Sequence, residues 1–490
     1  MPRPFSRIWL FRLAAIALGL AIFPVAEGVC RVFDLGRPDE IEDPFVGFSE
    51  IHPLFVPDPQ LGRYQIARSR QLFFKPDSFA EKKSPRTYRI FCLGGSTVQG
   101  RPYSTETSFT NWLKMGLSKF DKSREYEVVN CGGISYASYR LIPILKECLQ
   151  YEPDLFIICT GHNEFLEDRQ YNHIKSVPSW AGFLKPVSRL RMLTVIRSAV
   201  FGNRIDEHES ASARSILKSE VDAILDYQNG LSFYDRDDLW KNDVIKHFES
   251  NLGLMIELSE SRNIPVMVIQ PCSNLKDSPP FKSLHRNNIS DQEFAEFERL
   301  VDQARHHVRS DLPQAIHFFE QAVAIDDQFA LVHYELGQCY EAAHRMTDAK
   351  RSFIAAREND ICPLRMIEPL NQAMRRVVDR SDVMFLNADE LLAVESPHGM
   401  TGDSLLVDHI HPSFRGHQLI AEEIISQLSS IQLKFDLPED WRRQSQFIWK
   451  LYLSKLDSLY FLRGHRSLET LMRWTQGKAD GPPLKSPATE

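Results

Sequence analysis

The sequence predicts an α/β chain built on a parallel sheet with helices on both faces. Three observations lead there. Short, nearly continuous apolar runs recur along the chain, helical patterns separate them, and glycine-rich or polar turns follow the runs. Strands that are apolar on both faces belong to a sheet covered on both sides. The predicted strands are Tyr88–Leu93, Tyr126–Asn130, Asp154–Thr160, Ile264–Gln270 and Val383–Asn387. Helices are expected from about Thr107, Ser138 and Arg415. A sheet of this kind carries its functional loops at the carboxyl ends of its strands.

The rest of the chain is read around that sheet. With 490 residues, 43% hydrophobic and 25% charged, it is long enough for one large core and an accessory module. The formal charge of -7 comes without a stripe of clustered Lys and Arg, so nucleic acid is not an expected partner. Eight cysteines include no CxxC pair, and Cys92, Cys131 and Cys159 read as small buried hydrophobes in or beside strands. At the N-terminus Arg3, Arg7 and Arg12 precede an apolar run from Leu13 to Ala26. Residues 1–34 are therefore expected to be an uncleaved membrane anchor, with a cleaved signal peptide or a buried helix as alternatives. The positive flank would place the body outside the cytoplasm.

Residues 35–84 read as irregular linker, and 85–293 with 361–435 as the two parts of the sheet domain. Between those parts, 294–360 repeats itself: Ala315, Phe319 and Ala322 return as Ala349, Phe353 and Ala356, each 34 positions later. That is the period of the tetratricopeptide helical hairpin, and Leu336, Gly337 and Tyr340 stand where such a hairpin packs tightly. An ordinary helical hairpin is the competing reading. Because such repeats bury their faces only against neighbours, the pair is expected to lean on the main domain and to offer a groove to a protein partner. A second insertion, from Glu167 to about Lys241, carries no strong signal. Residues 436–490 are expected to form amphipathic helices rich in Trp, Tyr and Phe, followed by a disordered tail.

The chemistry sits in the loops. The first strand ends in Gly94-Gly95-Ser96-Thr97, where glycines allow a sharp turn that exposes the serine. No Lys follows, as a phosphate-binding loop would need. The second strand ends in Asn130-Cys131-Gly132-Gly133, where a freed backbone N–H can point into a site. The third ends in Gly161-His162-Asn163-Glu164, and the Asn163 amide can donate to an oxyanion. Late in the chain comes Asp408-His409-Ile410-His411: His411 can act as general base toward Ser96, with Asp408 fixing its tautomer. Each loop alone also reads as ordinary turn or cap chemistry. Asp408, His409, His411 and His417 together also have the composition of a metal site, although that reading leaves the other loops unexplained.

Taken in order, these four loops resemble the blocks of the SGNH/GDSL hydrolase superfamily, over about 85–170, 260–290 and 360–430. The family's Ser, Gly, Asn and His are matched by Ser96, Gly132, Asn163 and His411, and Asp408 precedes His411 by three residues as in its Asp-x-x-His block. Two departures are Gly95 before Ser96, where the family has Asp, and Glu164 after Asn163, again in place of Asp. The wording Gly-Gly-Ser-Thr with Gly-His-Asn-Glu-Phe resembles exported bacterial members that carry tetratricopeptide insertions. The resemblance implies a flavodoxin-like sheet of about five strands and acyl transfer through Ser96. It also implies an oxyanion hole made by the N–H groups of Ser96 and Gly132 with the Asn163 side chain, and no cofactor or metal. The expected substrate is an acyl ester, acetyl above all, of an extracytoplasmic carbohydrate or lipid. An O-acyltransferase acting on an exported polysaccharide uses the same acyl-enzyme, and a scaffold with a vestigial hydrolase domain is the reading from another class. Asn274, Lys276 and Arg365 are weaker candidates for binding an anionic or sugar substrate; Lys282, His285 and Arg286 stand beside them, and solvated charge is the plainer reading of all six.

Overall fold

The computed structural model describes residues 24–30, 43–171, 215–227 and 230–476, with isolated positions at 12, 19, 21, 192 and 195. The chain forms two compact units. One comprises Met1–Ser49 and Arg169–Leu217, in which strands Val46–Phe48 and Ser215–Leu217 pair in parallel. The other, Glu50–Asp168 with Lys218–Glu490, holds everything below. Most of the expected N-terminal anchor, much of the 167–241 insertion and the tail beyond 476 lie outside the described residues. Among the described residues no helix is long and apolar enough to cross a membrane.

The predicted sheet is present. Its strands are β1 (Thr87–Gly94), β2 (Glu125–Gly132), β3 (Leu155–Cys159), β4 (Val266–Gln270) and β5 (Met384–Asn387). They are all parallel, in the order β5-β4-β3-β1-β2, which is the flavodoxin-like order. All five residues of β3 and of β4 are buried, as their continuous apolar sequences require. Register decides where the loops emerge. Gly94 pairs with both Gly132 and Cys159, so β1, β2 and β3 end at one level and their loops leave the sheet side by side.

Helices α1 (Phe109–Phe120), α2 (Ser138–Cys148) and α3 (Asp238–Glu260) follow β1, β2 and β3. The insertion forms four helices: α4 (Asp291–His307), α5 (Leu312–Ile325), α6 (Ala330–Ala342) and α7 (Met346–Glu358). Ser290 and Glu293 close a capping box that starts α4. The repeated residues occupy equivalent buried positions of α5 and α7, and a Cβ on Gly337 would stand 2.8 Å from the Phe353 ring. Leu275 and Met400, from the sheet domain, belong to the core of this helical group. Asp360, at the expected boundary, accepts hydrogen bonds from the backbone N–H groups of Phe281, Lys282 and Cys362, which fastens the insertion's exit.

Helix α8 (Glu368–Val378) leads to β5, and α9 (Ala388–Val394) follows it. Helix α10 (Phe414–Gln427) is capped by Ser413, whose side chain accepts from the Gly416 N–H. Helices α11 (Trp441–Leu453) and α12 (Ser458–Gln476) form the predicted extension. Trp449 is fully buried against Trp112 of α1, ring centroids 5.8 Å apart, while Phe447 remains exposed. Truncating such a Trp costs about 3–5 kcal/mol, so α11 belongs to the core rather than decorating it.

One expectation is corrected. The stretch 35–84, read as irregular, contains a three-stranded antiparallel sheet of Phe55–Asp58, Arg63–Ile66 and Ser78–Ala80. These strands are too short and too interrupted by proline to announce themselves. They are held by tertiary contacts: Phe79 packs edge-on against Phe55 and Phe91, and the Arg89 guanidinium lies over Phe79 while donating to Ala80 O. All eight cysteines are buried, and none forms a disulfide among the described residues.

Candidate active site

Ser96 opens a helical turn, Ser96–Gln99, immediately after β1. At the first position of a helix its N–H has no intrahelical acceptor. Gly95 is needed there because an added Cβ would lie 2.6 Å from the Asn163 amide nitrogen. That close approach also places Asn163, in the loop after β3, beside the Ser96 backbone. His411 lies in the loop before α10, and its Nε2 is 2.7 Å from Ser96 Oγ. Its Nδ1 is 2.6 Å from Asp408 Oδ2, and Asp408 Oδ1 accepts the N–H groups of Ile410 and His411. All three side chains are buried. Burial pushes the Asp408 carboxyl up. The electrostatic pull of the adjacent His411 and His409 rings, with the hydrogen bonds from His411, outweighs it and holds the acid well below the usual carboxylate range. An ionised Asp408 fixes the Nδ1–H tautomer, leaving Nε2 free to accept the serine proton.

Asn163 donates to the Tyr136 carbonyl at 3.0 Å, which orients its amide and leaves a second N–H. Glu164, one of the two departures from the family pattern, turns away from the cavity. Its carboxylate accepts from the backbone N–H and hydroxyl of Ser138 at the start of α2, where the helix end favours an anion.

Gly132 requires a correction. Its N–H donates to Asn130 Oδ1 at 3.0 Å and so is not available to an oxyanion. It is glycine because a Cβ would collide with the backbone of Gln99. Asn130 also donates to Val98 O and Thr110 Oγ1, tying the Ser96–Gln99 turn to the end of β2. The residue that reaches the site from this loop is Ser135, in a left-handed conformation with φ 63°. Its N–H has no hydrogen-bond partner among the described residues. A non-glycine residue held at positive φ has no reliable sequence signature, whereas a Gly-Gly pair attracts the eye.

Ser96, His411, Asn163 and Ser135 line one cavity of about 260 Å³, with Arg101, Asp226 and His409, and with Thr470 and Leu471 of α12. Sequence reasoning missed Arg101, Asp226 and the α12 pair, which come from segments with no motif.

The weaker candidates are scaffold. Asn274 donates to Asp403 and to Asp408 O, and its N–H reaches His409 O, so it holds the Asp408–His409 segment. Arg365 is buried and donates to the carbonyls of Asn274 and Ser278, with Asp360 3.8 Å away. Lys276 pairs with Asp277 and Glu341, Lys282 donates to Leu231 O and Tyr234 O, His285 meets Asp326 and Arg286 meets Glu293. None of the six lines the cavity. The metal reading also separates. His417 is buried with Nδ1 accepting from the Phe109 N–H, and no group of three or more ligand residues is placed to hold a metal ion among the described residues. Burial lowers the pKa of His409 to about 4 and that of His417 to about 3, so both rings are neutral.

No family model matches the chain, and no curated protein does. Among solved structures it is similar to a protein described as lipolytic, of the G-D-S-L family, from Desulfitobacterium hafniense, at 12% identity and TM-score 0.30, covering 69% of this chain and 97% of that one. It is also similar to a lipase/acylhydrolase from Enterococcus faecalis, at 12% identity and TM-score 0.32, over 72% and 99% of the two chains. An acetylxylan esterase from Geobacillus stearothermophilus matches at 10% identity and TM-score 0.29, over 70% and 94%. Likenesses this distant add nothing to the geometry of the site.

Proposed function

We propose that this protein is a serine esterase in which Ser96 attacks the carbonyl of a small acyl ester. The observation that carries the reading is the buried chain Ser96 Oγ, His411 Nε2, His411 Nδ1, Asp408 Oδ2, with contacts of 2.7 and 2.6 Å. As the Ser96 oxygen bonds to the carbonyl carbon, its proton passes to His411 Nε2. The oxyanion is met by the Asn163 amide and by the N–H groups of Ser96 and Ser135. Collapse expels the alcohol, which takes the proton from His411, and leaves Ser96 acylated. Water, deprotonated by His411, then releases the acid and restores Ser96.

The modest cavity supports a short acyl group such as acetyl, carried on a carbohydrate or lipid. The same acyl-enzyme would serve an O-acyltransferase if a sugar hydroxyl replaced water. Fluorophosphonate labelling of Ser96, followed by product analysis with acetylated glycans, tests this reading: free acetate marks hydrolysis and acetylated acceptor marks transfer. A folded protein that is not labelled at Ser96 would overturn it. The Arg3, Arg7 and Arg12 flank supports a membrane-anchored protein facing away from the cytoplasm, which protease accessibility in spheroplasts tests. The 34-residue offset of α5 and α7 supports a tetratricopeptide-like module that docks a protein partner.

A further inference from the structure

We propose that Arg101 recognises a carboxylate on the substrate, so that the preferred ester is a small anionic one. This rests on the serine-esterase reading and narrows its substrate class. Arg101 is fixed to the nucleophile's own turn, since its backbone N–H donates to Ser96 O at 3.1 Å. Its side chain lines the cavity shared by Ser96, Asn163 and His411.

The other buried arginines around the sheet are committed. Arg70 donates to His52 O and Tyr136 Oη, Arg89 pairs with Glu127, Arg140 with Glu167, and Arg365 holds two carbonyls. The Arg101 guanidinium makes no hydrogen bond and no ion pair among the described residues, although it is half-buried. Burial lowers its pKa, opposed by Asp408 and Asp226, yet a guanidinium remains charged. Asp408 is already committed to His411, and Asp226 stands exposed at the rim. A half-buried planar cation with unused donors beside a serine nucleophile matches a carboxylate, which it can grip through two parallel hydrogen bonds. A cavity of about 260 Å³ has room for a short ester with one such group.

The carboxylate can sit on the acid side, as in a hemisuccinate, or on the alcohol side, as in an acetylated uronic acid. Two substrate pairs separate these. The first is 4-nitrophenyl hemisuccinate against 4-nitrophenyl butyrate; the second is 4-acetoxybenzoate against its methyl ester. The quantity read is the ratio of kcat/KM for the anionic and neutral members. In Arg101→Gln that ratio falls about 10- to 100-fold in one pair, the loss of a charge-assisted contact, and the pair affected identifies the side. Arg101→Lys keeps the charge without the fork and gives an intermediate ratio. Asp226→Asn removes an opposing charge and raises the ratio. The proposal is overturned if Arg101→Gln leaves both ratios within about twofold of the parent protein's, or if it and Asp226→Asn shift them in the same direction. Failure of the esterase reading looks different: the parent protein then turns over no member of either pair and takes no fluorophosphonate on Ser96.

Discussion

Two polar clusters at the carboxyl edge of the sheet use the same kinds of residue for opposite ends. Around Ser96, each key group keeps some capacity unused: the second Asn163 N–H, the Ser96 and Ser135 N–H groups and the Arg101 guanidinium. Around Asn274 and Arg365, the Asn274 amide and Arg365 Nη1 meet carbonyls and a carboxylate of the protein, while Arg365 Nη2 lies buried 3.8 Å from the Asp360 carboxylate. The first cluster faces a cavity that neither Asn274 nor Arg365 lines. Residue type does not separate a binding amide from a structural one; what separates Asn163 from Asn274 is that only Asn163 faces the Ser96 cavity with an N–H left over.

The comparison is broken most severely by removing the proposed nucleophile. Ser96→Ala should lower kcat at least about 10⁴-fold, as loss of a triad member does, and abolish fluorophosphonate labelling. Its unfolding midpoint should stay near that of the parent protein, and normal labelling would refute the assignment. Arg365→Ala should act in the opposite sense, on stability. It leaves Asp360 buried without its nearest cation, at a cost of about 3–5 kcal/mol. Urea unfolding measures this, and a variant of unchanged stability would show that the second cluster is not scaffold. Asn163→Ala should lower kcat about 100- to 1000-fold with little effect on folding. Near-native turnover would make Asn163 a turn residue only.

A smaller effect sharpens the comparison from the core side. His417 has its pKa lowered to about 3 by burial, below the ordinary 6.5, so it contributes stability above pH 6.5 that is lost as pH falls toward 3. The unfolded chain binds a proton in that window and the folded one does not. His417→Asn, which keeps an acceptor for the Phe109 N–H, should make the acid limb shallower by one proton, about 1.4 kcal/mol per pH unit. Stability curves between pH 4 and 6.5 that superimpose on the parent's would show that His417 is not buried neutral.

Much was legible in the sequence because it depends on local pattern. Apolar runs gave the five strands, since a strand covered on both faces tolerates nothing else. The loops holding Ser96, Asn163, Asp408 and His411 could be read because each ends a strand or precedes a helix with its own turn chemistry. The offset between Ala315–Ala322 and Ala349–Ala356 marked the face that α5 and α7 bury. Register and packing decided the remainder. The level ends of β1, β2 and β3 brought Ser135 to the site and gave the Gly132 N–H to Asn130, a choice of hydrogen-bond partner that no spacing encodes. The small sheet of 55–80 exists because Phe55 and Phe79 find Phe91. Thr470 and Leu471 line the cavity because α12 folds back across a separation of more than 300 residues in sequence from Ser96. Periodicity reports which face of an element is buried; only the folded chain determines which polar groups are left without a partner.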